Sequence, residues 1–386
     1  AMFGRSVALS ADGAVALVGE PGDDGAGGMD TGAAHVFVRS GATWAEQAML
    51  VASDGQNLDA FGESVALAAD GSRALVGVIF DDTSTSPDAG SARVFRRSGA
   101  SWVEEASLEP TGTTGATFSG SAVALSADGS RALVGAPLDD TFGVAVGAAR
   151  VSVRTGTAWS REALVGPLAG GSLDTFGSSV ALAADGATAI VGAPGAAGAG
   201  SAYVFARSVS TWAREQRVMA PTATMNAFGG AVGLSADGTR AIVGAHLDGV
   251  GGAGRAYLYG RVGATWPAGG ALVPSATAAG DALGSAVALS GDGARAIVGA
   301  PQEDPSTGTS TGPGRAFVFV VSAGVPNGTA CTLGGACDSG LCVDGVCCAS
   351  ACAGGATDDC QACSVALGGS ADGTCTTLRS AVASST

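Results

Sequence analysis

Phe176-Gly177-Ser178-Ser179-Val180-Ala181-Leu182-Ala183-Ala184-Asp185-Gly186-Ala187-Thr188-Ala189-Ile190-Val191-Gly192-Ala193-Pro194 decides the fold of this chain. Two short apolar runs flank an Asp-Gly pair, and Asp-Gly tolerates the positive φ of a tight β-turn, so the stretch reads as a hairpin. The same pattern opens at Phe3-Gly4, Phe61-Gly62, Phe118-Ser119, Phe228-Gly229 and Leu283-Gly284. Its turns recur at Asp12-Gly13, Asp70-Gly71, Asp128-Gly129, Asp237-Gly238 and Asp292-Gly293. The openings are 58, 57, 58, 52 and 55 residues apart. Self-similarity at a fixed period marks an array, and short strands with turn signals make it a β-propeller.

The second copy gives the blade. Ser64-Val65-Ala66-Leu67 alternates with period two, and Ala74-Leu75-Val76-Gly77 forms the second strand after the turn. A longer loop runs from Phe80 to Gly90. The third strand is Ala92 to Arg97, Ser98-Gly99 is a tight turn, and the fourth strand opens at Trp102. The expected fold is therefore all-β, with six to seven four-stranded antiparallel blades. The sixth copy has three strands, ending at Val321, and no tryptophan strand. The chain begins almost at a repeat boundary, Ala1-Met2-Phe3, and reads as a fragment with an upstream part.

Five tryptophans, Trp44, Trp102, Trp159, Trp212 and Trp266, each follow the same third-strand position by nine residues. They are expected to fill the seams between blades with their N–H bonded to backbone. A ring of sugar-stacking platforms is the alternative. Glu46, Glu104, Glu105, Glu162 and Glu215 sit two or three residues beyond a tryptophan, where charge on an outer strand discourages edge-to-edge pairing.

A net charge of −15, with 19 basic residues that are all arginine, excludes phosphate neutralisation as a mode of binding. Nucleic acid and anionic membrane are poor partners for such a chain. No apolar run has the length of a membrane-spanning helix. The charge leaves cations such as calcium, cationic surfaces and neutral glycans open, and an extracellular protein or glycan is the expected partner.

The nine cysteines, Cys331, Cys337, Cys342, Cys347, Cys348, Cys352, Cys360, Cys363 and Cys375, all lie in the C-terminal tail. Residues 1–324 are expected to form the propeller and 325–386 a small disulfide-held module in an oxidising, extracellular or cell-surface setting. Zinc competes through Cys360-x-x-Cys363, but no histidine and no second separated pair accompany it. An odd count leaves one cysteine to pair elsewhere. Asn327-Gly328-Thr329 is a glycosylation acceptor only in a host that uses it.

Acidic residues gather at two loop positions. Asp23-Asp24, Asp81-Asp82, Asp139-Asp140, Asp248 and Glu303-Asp304 follow the second strand. Asp59, Asp174 and Asp281 precede the next copy. Both loop sets lie on one propeller face, because strand direction alternates. Asp23, Asp24, Asp81, Asp82, Asp139, Asp140, Asp248 and Asp304 are thus the candidate binding residues, on an acidic rim; solvated turns are the plain alternative. His35 and His246 have no paired nucleophile or metal-ligand pattern, and no Gly-x-Ser-x-Gly elbow or phosphate loop occurs. No enzyme activity is expected of the chain.

The repeat resembles the FG-GAP repeat of integrin α-chain propellers and many bacterial surface proteins. The resemblance rests on Phe176-Gly177, Val180-Ala181-Leu182, Asp185-Gly186 and Ile190-Val191-Gly192-Ala193-Pro194, and on their counterparts from Val123 to Pro137. It implies extracellular adhesion or ligand binding, commonly on seven blades. The family's calcium loop, Asp-x-Asp-x-Asp-Gly, is absent; each first turn holds one carboxylate where calcium wants six to eight oxygens. No calcium is expected there. Gly340 to Cys348 resembles cysteine-rich modules of bacterial surface proteins and, more loosely, the dickkopf-type region. The reading is a non-enzymatic binding scaffold. The alternatives are a propeller lectin using blade-to-blade pockets, an accessory domain of a secreted hydrolase, and a plain spacer.

Overall fold

A computed structural model describes residues 2–321, apart from 26, 84–85, 114, 168–169, 222–225, 275–276 and 304–311. Beyond Val321 it gives only the backbone of two short antiparallel pairs, Cys342–Val343 with Val346–Cys347 and Gln361–Ala362 with Thr376–Thr377. The disulfide, zinc and glycosylation expectations for residues 325–386 lie outside the described residues.

Six antiparallel sheets follow one another along the chain, each with its strands in sequence order. Blade 2 is typical: Phe61–Leu67, Arg73–Val78, Ser91–Ser98 and Ser101–Leu108. Among the described residues, blades 1 to 5 have four strands and blade 6 has three, ending with Arg315–Val320. The first hairpin of each blade closes on its aspartate. In blade 1, Ser10 Oγ donates to Asp12 Oδ1 at 2.6 Å, and Ala14 N donates to the same oxygen at 2.9 Å. Gly13 then takes φ of 62°, which costs a glycine little.

Each third–fourth hairpin carries a register shift just before one position: Phe37, Phe95, Ser152, Phe205 and Tyr259. The extra residue lies on the fourth strand, Glu105 in blade 2. On the third strand Val94 and Phe95 alternate, and Phe95 lies in the seam with the preceding blade. There it meets the opening phenylalanine of its own blade: Phe61 and Phe95 are edge to face at 5.8 Å. The core is therefore a series of seams. One joins Val15, Leu17, Val36 and Leu50 of blade 1 to Phe61, Val76 and Phe95 of blade 2.

Backbone joins the blades too. The first turns are linked in a chain, Ala11 N to Ala69 O at 2.8 Å, then Ala69 to Ala127, Ala127 to Ala184, Ala184 to Ala236 and Ala236 to Gly291, each at 2.9 Å. At each joint the second-strand glycine receives the Phe-Gly glycine of the next blade; a Cβ at Gly77 would run into the carbonyl oxygen of Gly120.

That joint corrects the register of the third copy. The bridges are Gly32 to Phe61, Gly90 to Ser119, Gly147 to Phe176, Gly200 to Phe228 and Gly254 to Leu283. Ser119-Gly120, not Phe118-Ser119, therefore occupies the Phe-Gly position. Phe118 instead packs against Phe80 at 5.3 Å. The glycine fixes the register because only it fits the close approach.

Among the described residues, blades 6 and 1 do not share this joint. A Cβ on Gly299 would meet only Ala286 of its own blade, and one on Gly4 would meet nothing. Val7 and Leu9 of blade 1 are 70% and 62% exposed, and Val318 of blade 6 is 68% exposed.

Candidate binding surfaces

The acidic rim divides into an inner and an outer set. Asp81, Asp139 and Asp248 are buried. Each turns back into its blade and is held by the third strand. Arg93 Nη2 donates to Asp81 Oδ2 at 2.7 Å, and Ser91 Oγ donates to the same oxygen. Arg150 Nη2 donates to Asp139, and Tyr257 OH donates to Asp248. Asp24, Asp82 and Asp140 are exposed and shape their own loops, accepting from Asp30 N, Asp88 N and Ala145 N at 2.7–2.9 Å. Asp23 is half-buried. Asp304 lies outside the described residues.

Asp59, Asp174 and Asp281, before the next blade, are buried as well. Each accepts the N–H three residues upstream, from Gln56 at 2.6 Å, Gly171 at 2.8 Å and Ala278 at 2.5 Å. Burial pushes the Asp59 carboxyl up to about 6 against the pull of the Gln56 N–H, with Asp81 and Asp82 adding to the rise. Among the described residues no three His, Cys, Asp or Glu side chains gather as metal ligands.

What stays at the surface of this face is partly apolar, which the sequence reading missed. Met29, Leu58, Phe142, Val144, Leu173 and Val250 are all exposed there. The loops are tied in neighbouring pairs: Leu58 N donates to Met29 O at 2.9 Å, and Leu173 N to Val144 O at 3.3 Å. Leu58 and Leu173 are left-handed, with φ of 72° and 67°, an unfavourable state for a leucine that the surrounding bonds hold. The visible signal was the recurrence of Asn57-Leu58-Asp59 as Ser172-Leu173-Asp174, with leucine between polar turn formers.

The outer strands also differ from expectation. Glu105, Glu162 and Glu215 are clamps between blades rather than solvated charges. Glu162 of blade 3 accepts from Arg131 Nε at 3.0 Å in its own blade. From blade 4 it accepts Arg207 Nη2 at 2.6 Å and Trp212 Nε1 at 3.0 Å. Burial opposes its charge, but these donors hold its carboxyl down at about 2. The indole N–H of Trp212 and Trp266 goes to a glutamate of the preceding blade, not to backbone. The nitrogens of Trp102 and Trp159 are buried without a partner. Trp266 is 1% exposed in its seam, whereas Trp44, in the first of the described blades, is 44% exposed.

The histidines have structural surroundings. His35 sits between Glu20 at 3.1 Å and Glu46 at 2.9 Å. Burial lowers the pKa of His246.

A series of like blades with bonded loops on one face defines a repeat-built β-propeller scaffold. Residues 1–37, 44–95, 159–205 and 266–319 match the FG-GAP repeat family, so this is an FG-GAP propeller. No curated protein matches the sequence. Among solved structures it is similar to a Bacteroides uniformis protein that carries a provisional 6-phosphogluconolactonase name. The two share 11% identity and a TM-score of 0.53, over 82% of this chain and 85% of that one. At that identity the likeness concerns the fold alone. No described helix is long and apolar enough to cross a membrane.

Proposed function

We propose that the protein is a non-enzymatic extracellular binding scaffold that presents the loops after the second and fourth strands to a protein partner. One observation carries this reading: the same face combines exposed apolar side chains, exposed carboxylates and loops bonded to each other in strained, fixed conformations. Apolar groups rimmed by charge mark interaction sites, and loops fixed before binding lose little entropy when they bind. The outer carboxylates Asp24, Asp82 and Asp140 favour a partner with a basic patch. The cysteine-dense tail supports an oxidising compartment.

A glycan is the second reading, supported by the unpartnered indole nitrogens at Trp102 and Trp159. The test is a matrix-protein and glycan array with the oxidised chain, repeated with Leu58→Asp/Leu173→Asp and with chelator. Retention of a basic protein that the double variant loses supports the scaffold. Undiminished binding by the variant removes this face from the reading. Binding only before chelation makes the outer carboxylates a calcium-bridged surface.

A further inference from the structure

The seam between blades 2 and 3 is built differently from its neighbours. The seam aromatics pair at 5.8 Å between Phe61 and Phe95, and at 6.0 Å both between Phe176 and Phe205 and between Phe228 and Tyr259. In blade 3 the same two positions hold Ser119 and Ser152. The apolar core of this seam contains neither Phe nor Tyr. A cavity of about 260 Å³ lies here, lined by Ser107, Glu109, Arg150, Ser152, Trp159 and Arg161 among others.

The charges have changed together with the aromatics. In blade 2 the equivalent arginine, Arg93, is neutralised by Asp54 at 3.0 Å, Asp81 at 2.7 Å and Glu104 at 3.2 Å. Strand pairing aligns Glu104 with Arg161, and the count from Leu50 and Leu108 aligns Asp54 with Gly112. Of three carboxylates, only the counterpart of Asp81 remains for Arg150, namely Asp139. Arg150 is 5% exposed, yet its Nε and Nη1 have no partner. Trp159 and Ser107 are half-buried, and their Nε1 and Oγ atoms are inaccessible and unpartnered. Arg161 is occupied only by a bond from Nη1 to Thr111 Oγ1 at 3.0 Å, and the one acid lining the cavity, Glu109, is exposed.

Buried donors left without acceptors are costly and rare, and buried guanidinium groups more so. Here three such N–H groups belong to Arg150 and Trp159, two residues that line the cavity, and a second arginine, Arg161, lines it too. We propose that this seam is a binding pocket for a small carboxylate-bearing molecule, whose oxygens accept from Arg150 and Trp159 and whose charge Arg161 attracts. A carboxylate offers about four acceptor sites, enough for these donors. The volume falls below the ~300 Å³ at which drug-sized pockets begin, so the ligand is a single sugar acid or hydroxy acid. The pocket shares the loop after Leu108, and Asp139 through Arg150, with the acidic face, but the proposal rests on Arg150, Trp159 and Arg161 and does not depend on that face's role.

The experiment is calorimetric titration of the full chain with glucuronate, citrate, lactate, sulfate and neutral glucose, with thermal shifts alongside. Saturable heat with glucuronate or with citrate and lactate, and none with glucose, is expected; the two arms separate a sugar acid from a free organic acid. Ser152→Phe restores the aromatic found in the other blades, and Arg161→Glu restores the charge of blade 2. Both variants are expected to keep or raise Tm and to weaken binding about tenfold or more. Failure of every carboxylate to bind overturns the proposal, and so does equal binding of glucose. Tighter binding of sulfate overturns the carboxylate identity. Unchanged affinity in Ser152→Phe moves any binding out of this seam.

Discussion

Two aspartates side by side in one loop carry different burdens. Asp81 is buried against Arg93, while Asp82 is exposed and turns the backbone at Asp88. The sequence displays both as loop acids. What separates them is a partner twelve residues on, in the third strand, that a local pattern does not reveal. Asp59 shows the energetic side. Its ordinary value is 3.8, and burial raises it to about 6 in the folded chain. Between those values the folded protein keeps a proton that the unfolded chain has released. Its contribution to stability is therefore greatest below 3.8 and declines as pH rises through about 6. Asp59→Asn keeps an acceptor for Gln56 N without the charge. It is expected to stabilise the protein by on the order of 1–3 kcal/mol at pH 7 and by nothing near pH 3. Denaturant melts at the two pH values check this, and an equal gain at both would remove ionisation as the cause.

At the scale of elements, the strands and turns were legible because each blade repeats the same alternation and the same Asp-Gly turn. The register of the third copy was not. An aromatic at 118 draws the eye, but the joint selects glycine, and Gly120 sets the frame. The outer-strand glutamates were legible as charges but not as clamps, since their arginine partners lie 31 to 49 residues away. The joint glycines give a paired prediction. Gly135→Ala drives a methyl into the Gly177 backbone, whereas Gly299→Ala meets only Ala286. The first is expected to cost about 1–3 kcal/mol and the second under about 1 kcal/mol, read as the difference in unfolding free energy. Equal costs would mean that Gly299 is packed as tightly as its counterparts.

Over the whole molecule, five blade-to-blade joints are alike and the sixth is unmade among the described residues. Repetition made the propeller readable from the sequence; the choice between six and seven blades was not, because closure depends on which surfaces meet rather than on any motif. Six blades are present among the described residues, and valines of blades 1 and 6 are exposed on the faces that do not share a joint. Six blades without a clasp behave as a row, not a ring. Each inner blade is braced by two neighbours and each outer one by a single neighbour, and stability in such a row is the sum of local and nearest-neighbour terms. Amide hydrogen exchange is thus expected to be slowest in blades 3 and 4 and fastest in blade 6, which has three strands among the described residues. Uniform protection around all six would mean that the clasp is shut in solution. The unmade joint gives the propeller a direction: it opens from its ends inward, so the middle seams, including the one beside Arg150, are the last to come apart.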